Sequence, residues 1–219
     1  NFPKSSLIEG IKQLNNDNNI TDDQVPDYRI IGQVFSTYII VEKDDVVYLI
    51  DQHAAHERIL YQRYMEMYNN QNIGIQYLLT PMIIEVNAYE KEIIETNIQT
   101  LNKLGYVIEP FGDMCYAIRA VPMIFHQPAA VDAMVKEMLS LDRGKSPDKN
   151  GVPRLKESAI ITMACKSAIK ANMRLKIPEI LALLQQITKE HIPNSCPHGR
   201  PIIITITKYH LEKLFKRVL

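Results

Sequence analysis

A chain of 219 residues with 25 basic and 25 acidic side chains carries no formal net charge. That balance excludes a globally basic nucleic-acid binder, because no net field holds a polyanion and any such contact must be local or borrowed. With 46% hydrophobic residues a packed core can extend over most of the chain, in one large domain or two small ones, and no run approaches the roughly 18 apolar residues of a membrane span.

The opening Asn1-Phe2-Pro3, with no initiator Met and no signal peptide, reads as a piece of a longer protein. Residues 1–26 have the composition of a flexible linker end: Asn15, Asn16, Asn18, Asn19, Asp22 and Asp23 leave little to bury. From Tyr28 the pattern is β. Arg29–Phe35 and Tyr38–Val41 are strands divided by a small polar break, and Lys43-Asp44-Asp45 is a turn. Val46–Ile50 is a continuous apolar run, as expected of a central strand covered on both faces. A helix follows from about Ala54 to Tyr68, with Leu60, Tyr64 and Met67 at helical spacing. Ile83–Val86 is a strand, and Tyr89–Leu104 a helix that Gly105 stops from the C′ position. Tyr106–Ile108 and Cys115–Val121 are strands, Val131–Leu141 is a helix, and Arg143–Pro153 is a loop. Leu155–Ile169 is helical, and Pro178 suits the first position of the next helix. His191–Pro201 is a loop, Ile202–Ile206 a strand, and Tyr209–Arg217 a closing helix. The predicted class is α+β with two α/β subdomains. One is discontinuous, residues 27–74 plus 154–219, and holds the metal site and the dimer interface. The other, residues 75–153, is an inserted, regulatory subdomain.

Three cysteines, an odd number, argue against a disulfide scaffold and for a reducing compartment. The candidate metal ligands fall in three short segments. Asp51-Gln52-His53-Ala54-Ala55-His56-Glu57 follows a buried strand, where α/β folds place functional groups. His53 and Glu57 are i and i+4, on one face of a helix, with His56 close to it. Ala164-Cys165-Lys166 lies inside a helix. Cys196-Pro197-His198-Gly199-Arg200-Pro201 is a loop in which Cys196 and His198 can aim at one ion. Thiolate, imidazole and carboxylate together suit Zn²⁺ and borderline metals rather than a Mg²⁺ or Ca²⁺ cage. Residue types alone leave a closed structural site and a catalytic metal both open, the latter because paired ions are what phosphodiester hydrolysis uses. Cys115 reads as core, and His126, His191 and His210 as surface or satisfied residues.

The strings Asp51-Gln52-His53-Ala54 followed by Glu57, Ala164-Cys165-Lys166, Cys196-Pro197-His198-Gly199-Arg200-Pro201 and Phe215-Lys216-Arg217 resemble the motif set of the MutL C-terminal domain. More narrowly, they resemble the members that carry a latent mismatch-repair endonuclease. The likeness spans residues 28–219 in the expected order. It implies a homodimer that nicks duplex DNA, binds it weakly alone, depends on Mn²⁺ (or Mg²⁺) and is modulated by Zn²⁺. It also implies a cytoplasmic, nucleoid-associated protein working with a MutS-type mismatch sensor, and an ATP-binding N-terminal domain that these residues do not include. Carried over by position, Asp51, His53, Glu57, Cys165, Cys196 and His198 are the metal-site residues, and loss of Asp51 or Glu57 abolishes nicking. Arg200 contacts a phosphate or makes a structural ion pair, and Arg217 shares that assignment. Gln76-Tyr77-Leu78-Leu79-Thr80-Pro81 resembles the peptide by which bacterial repair proteins bind the β sliding clamp. Gln76 would anchor in a polar pocket, Leu78 and Leu79 in an apolar one, and Pro81 would limit the ordering cost.

Two positions depart from the family pattern. Gln62 stands where a second Glu is usual. It lies about 140° around the helix from Glu57, so it is not expected in the same coordination shell. Lys166 replaces the Arg of many members and loses the bidentate fork. His56 falls at a variable position and is expected to be exposed. The reading from another class is a non-catalytic dimerisation module with a structural zinc.

Overall fold

The computed structural model describes residues 28–124, 127–128, 135, 137, 155–170, 172–189 and 192–218. The expected linker at 1–26 and loop at 143–153 lie outside these residues, as do His126 and His191. The expected helix at 131–141 is described only at residues 135 and 137, both helical. Helices and antiparallel sheets share the chain, an α+β fold.

Contacts divide the chain into two units, one of residues up to Ile59 and from Ala168 onward, the other Leu60–Ser167. In the first, β1 (Arg29–Val34), β2 (Tyr38–Lys43), β3 (Val46–Asp51) and β8 (Ile203–Thr207) form an antiparallel sheet in the order β1-β2-β3-β8. Ile39, Val41, Tyr48 and Ile50 share one face, because Ile39 stands opposite Ile50 and Val41 opposite Tyr48. That face packs on Ala54, Ala55 and Ile59 of helix α1 (Gln52–Asn69). It packs also on helix α4 (Ile177–Lys189). In α4, Ile180, Leu183, Leu184 and Ile187 recur at i, i+3, i+4 and i+7, and full burial stabilises each by roughly 1.5–3 kcal/mol.

The opposite face of this sheet corrects one expectation. Val47 and Leu49 are only half-buried, and Ile204, opposite Leu49, is 53% exposed. The apolar run of β3 is therefore covered by the unit's own core on one face only.

In the second unit, β4 (Ile75–Glu85), β6 (Cys115–Ile124) and β5 (Val107–Pro110) form an antiparallel sheet ordered β4-β6-β5, with β7 (Gln127–Pro128) pairing to β6. Helix α2 (Ala88–Lys103) starts on a reciprocal cap between Asn87 and Glu90. It ends as expected at Gly105, whose φ of +89° only glycine takes freely, and the Tyr106 amide closes on the Leu101 carbonyl. Helix α3 (Leu155–Ser167) completes the described core through Leu155, Ala159, Ile160, Met163 and Ala164. Cys115, expected in the core, is half-buried at the first position of β6.

Strand β4 starts well before the expected Ile83. Tyr77 stands opposite Ala120 and Met82 opposite Ile118, so Leu78–Pro81 bulge out against one residue of β6. Pro81 has no amide to give the ladder, which accounts for the interruption. Leu79 is fully exposed at the bulge.

Candidate metal centre

The strand-to-helix junction at residues 50–57 positions the centre. Asp51 closes β3, and its Oδ1 accepts from the His53 and Ala54 amides at 3.0 Å each. It is the N-cap that starts α1 two residues earlier than periodicity predicts. Its second oxygen makes no hydrogen bond with the described residues.

Gln52 is fully buried. Its amide donates to the Ser36 and Met173 carbonyls at 2.9 Å each, and its oxygen accepts from Gln33. Gln33 also donates to the Met173 carbonyl and accepts from the Leu175 amide. These two glutamines fasten the chain around Met173 to the head of α1.

His53 Nδ1 lies 2.8 Å from the Ile169 carbonyl, and its Nε2 lies 3.2 Å from Glu57 Oε1. A carbonyl only accepts, so Nδ1 carries the hydrogen. The neutral ring then turns a bare Nε2 toward a carboxylate oxygen, two acceptors facing each other, unless a proton or a metal cation lies between them. Glu57 Oε2 lies 3.5 Å from His198 Nδ1 on its other side. Glu57 is only 4% exposed, so water does little to screen this carboxylate.

His198 arrives on a turn that its neighbours dictate. The Gly199 amide donates to the Cys196 carbonyl at 2.9 Å, with Pro197 at the position where a fixed φ is wanted. Gly199 has φ +83°, where a side chain would be strained. The Cys196 amide then bonds the Arg200 carbonyl at 2.8 Å.

One ligand atom from each of Glu57, Cys165 and His198 lies within 4.8 Å of the others. This is a carboxylate, thiol and imidazole set of the kind that suits zinc. The donor types and the facing acceptors of His53 and Glu57 both fit a cation here, and the Ile169 carbonyl supplies the outer contact that orients a ligating imidazole. Asp51, His53 and Cys196 stand outside that group of three, His53 touching it only through Glu57. Cys196 is buried within the apolar core of the first unit, so the turn sends its neighbour His198 to Glu57 instead.

Further site residues fall as follows. His56, expected in solvent, is half-buried, and its Nδ1 accepts from the Ile169 amide at 2.8 Å. Ile169 thus donates to one histidine and accepts from another, a backbone role that carries no side-chain signature. Arg200 is exposed and forms no ion pair with the described residues. Arg217 is exposed, 6.0 Å from the Phe215 ring centre. Lys166 pairs with Glu137 at 2.7 Å. The Gln62 side-chain oxygen is buried without a hydrogen-bond partner among the described residues. No helix among the described residues is long and apolar enough to cross a membrane.

Fold and site together define an α+β protein with a candidate carboxylate–thiol–imidazole metal group beside the head of a helix. A family model for the MutL C terminal dimerisation domain matches residues 31–175. The chain is 44% identical over 196 residues to the DNA mismatch repair protein MutL of Thermoanaerobacter sp. (strain X514), covering 90% of this chain and 31% of that protein. It is 40% identical over 192 residues to MutL of Clostridium botulinum (strain Langeland), covering 88% and 28%. It is 36% identical over 216 residues to MutL of Halalkalibacterium halodurans, covering 99% and 33%. The chain belongs to the MutL C-terminal dimerisation domain family, and it spans about a third of the length of these relatives.

Proposed function

We propose that this chain is the homodimerisation and metal-dependent nicking domain of a DNA mismatch repair protein. The observation that carries the reading is the convergence of Glu57, Cys165 and His198, with His53 turned toward Glu57. A divalent cation there would supply charge stabilisation to a phosphodiester during hydrolysis. Glu57, His53, Cys165 and His198 hold the position, Cys196 sets the turn that delivers His198, and the free oxygen of Asp51 is available to take up a proton. Zn²⁺ fits the donor set, and Mn²⁺ or Mg²⁺ is the ion proposed for nicking. ATP would act only at a domain these residues do not include.

The dimer interface we assign to the apolar sheet face that the first unit's core leaves uncovered: Tyr38, Ile40, Val47, Leu49, Ile204 and Ile206, half-buried or exposed. The family's description as a dimerisation domain favours a second copy as its occupant. Residues 27–74 with 154–219 would form the dimerisation and nuclease part, and 75–153 a regulatory insertion. Gln76, Leu78, Leu79 and Pro81, on the bulge of β4, are the proposed contact with the β sliding clamp. That contact would bring a neutral, weakly binding nuclease to duplex DNA, and the mismatch sensor would act through the longer protein in the cytoplasm.

The test is nicking of supercoiled plasmid with Mn²⁺ by the full-length protein, wild type against Asp51→Asn. Asn caps a helix as well as Asp, so the fold is kept while the carboxylate is lost. Nicking should vanish in the variant. No nicking by the wild type, even with clamp present, leaves the second reading, a scaffold with structural zinc. The engagement of Asp51 as a cap and the thiol in the donor set favour that alternative.

A further inference from the structure

We propose that the exposed cations Lys170, Arg174 and Lys176 form a phosphate-binding rim beside the metal centre and seat the backbone of duplex DNA there. The inference rests on the nuclease reading and adds the residues that would position the substrate.

The segments Ala168–Lys170 and Asn172–Lys176 are fastened to the motif helix. Ile169 bonds His53 through its carbonyl and His56 through its amide, at 2.8 Å each. Met173 accepts from Gln52 at 2.9 Å and from Gln33 at 3.0 Å. The Leu175 amide donates to Gln33 at 3.1 Å, and Thr37 Oγ1 reaches Asn172 Oδ1 at 3.3 Å. Asn172 takes a left-handed φ of +67°, which turns the chain between these anchors. Lys170 is the neighbour of a residue held by His53, and Arg174 the neighbour of a residue held by Gln52. Both charges are therefore carried on backbone fixed within one residue of the motif.

All three cations are exposed, and none forms an ion pair with the described residues. Several surface cations elsewhere are paired, Arg29 with Glu42, Lys91 with Asp113, Arg119 with Glu109, Lys166 with Glu137 and Lys208 with Asp45, whereas Arg200, like these three, forms no ion pair with the described residues. Glu179 accepts from the backbone amide of Lys176 at 2.6 Å. Three unpaired charges on a pinned segment need little ordering to meet a polyanion. A chain with no net charge can hold phosphate only through a local cluster of this kind. Such contacts are to the backbone, so the rim positions duplex without reading its sequence.

The experiment measures binding of a fluorescent duplex to the 219-residue chain across a salt series, and Mn²⁺-dependent nicking by the full-length protein. The variant is Lys170→Gln/Arg174→Gln/Lys176→Gln. Three lost phosphate contacts should reduce the slope of log affinity against log salt by about 2.7. The KM for plasmid should rise roughly tenfold, with a much smaller fall in kcat. Lys170→Arg/Arg174→Lys/Lys176→Arg should restore both. Lys170→Glu alone is the second variant, should the triple one melt early. An unchanged slope and KM would overturn the proposal. So would a loss that the conservative exchange does not rescue, or one seen equally with an acidic peptide competitor in place of duplex, which would point to a protein partner. A slope that falls by that amount in the variant, with a wild type that never nicks, leaves the rim standing and removes the nuclease. A wild type that nicks with an unaltered slope in the variant does the reverse.

Discussion

Glu57→Gln should remove most of the zinc-induced gain in stability while barely disturbing the metal-free protein. The change keeps the side chain's shape and removes a buried charge that faces His53 at 3.2 Å and His198 at 3.5 Å. With zinc at a hundredfold excess over its dissociation constant, the bound ion stabilises the folded state by about 2.7 kcal/mol. For a chain of this size that corresponds to a rise in Tm of about 5–11 °C. An amide oxygen is a far poorer ligand than a carboxylate. A hundredfold loss of affinity leaves zinc near its dissociation constant, worth about 0.4 kcal/mol, or about 1–2 °C. Without metal the sign can reverse, because Gln escapes the desolvation of a carboxylate that is 4% exposed; we expect a difference within about 1 kcal/mol. Thermal melts of both proteins, with zinc and with chelator, give all four values. A variant that keeps the full zinc-induced rise would refute Glu57 as a ligand and with it the proposed centre.

Leu79→Ala should weaken clamp binding at least tenfold by surface plasmon resonance. Because the side chain is fully exposed, the melting curve should shift by less than about 0.5 kcal/mol; unaltered binding counts against the motif. Ile204→Asp places a charge on the uncovered sheet face, and sedimentation should show a monomer. A dimer of unchanged strength moves the interface elsewhere. Burial pushes the Tyr64 phenol up to about 12, the bond with Ser167 only partly opposing this. Its folded value thus stands above the ordinary value near 10. The associated stability is complete below about pH 10 and is lost as pH rises toward 12. Tyr64→Phe should remove about 1 kcal/mol of that alkaline loss, measured by urea unfolding at pH 8 and pH 11; equal losses in both proteins would contradict the assignment.

Local rules made much of the fold legible. The β-branched runs at 38–41 and 46–50, the stop at Gly105 and the stripe of α4 each follow from one segment's own sequence. Contacts between distant segments were less accessible. Nothing in Val46–Ile50 states which neighbour covers each face, so β3 looked enclosed where one side remains half-open. The β4 bulge depends on β6 supplying one residue against Leu78–Pro81, a count that only the pairing fixes. Glu57, Cys165 and His198 were readable because each side chain advertises its chemistry. Ile169 was not, since it acts through its backbone. The bond from Gln33 to Met173 joins residues 140 positions apart, beyond any periodicity.

Asp51, Gln52 and His53 are consecutive, yet the turn from strand into helix sends them to three different tasks. Asp51 caps α1, Gln52 ties down Met173 and Ser36 from a fully buried position, and His53 holds Ile169 while facing Glu57. An alanine at any of the three therefore confounds folding with chemistry. Asp51→Ala would forfeit a cap worth about 1 kcal/mol along with the carboxylate, and Gln52→Ala would take the side-chain donor from the Ser36 carbonyl and leave Met173 with Gln33 alone, at about 1–3 kcal/mol. Near-isosteric exchanges separate the roles: Asp51→Asn keeps the cap, and Gln52→Glu keeps the size but replaces a donor by a buried charge against two carbonyls. If the string served chemistry alone, Gln52→Glu would fold normally. If it serves first to join strand, helix and the chain around Met173, that single exchange should destabilise the first unit more than Asp51→Asn does.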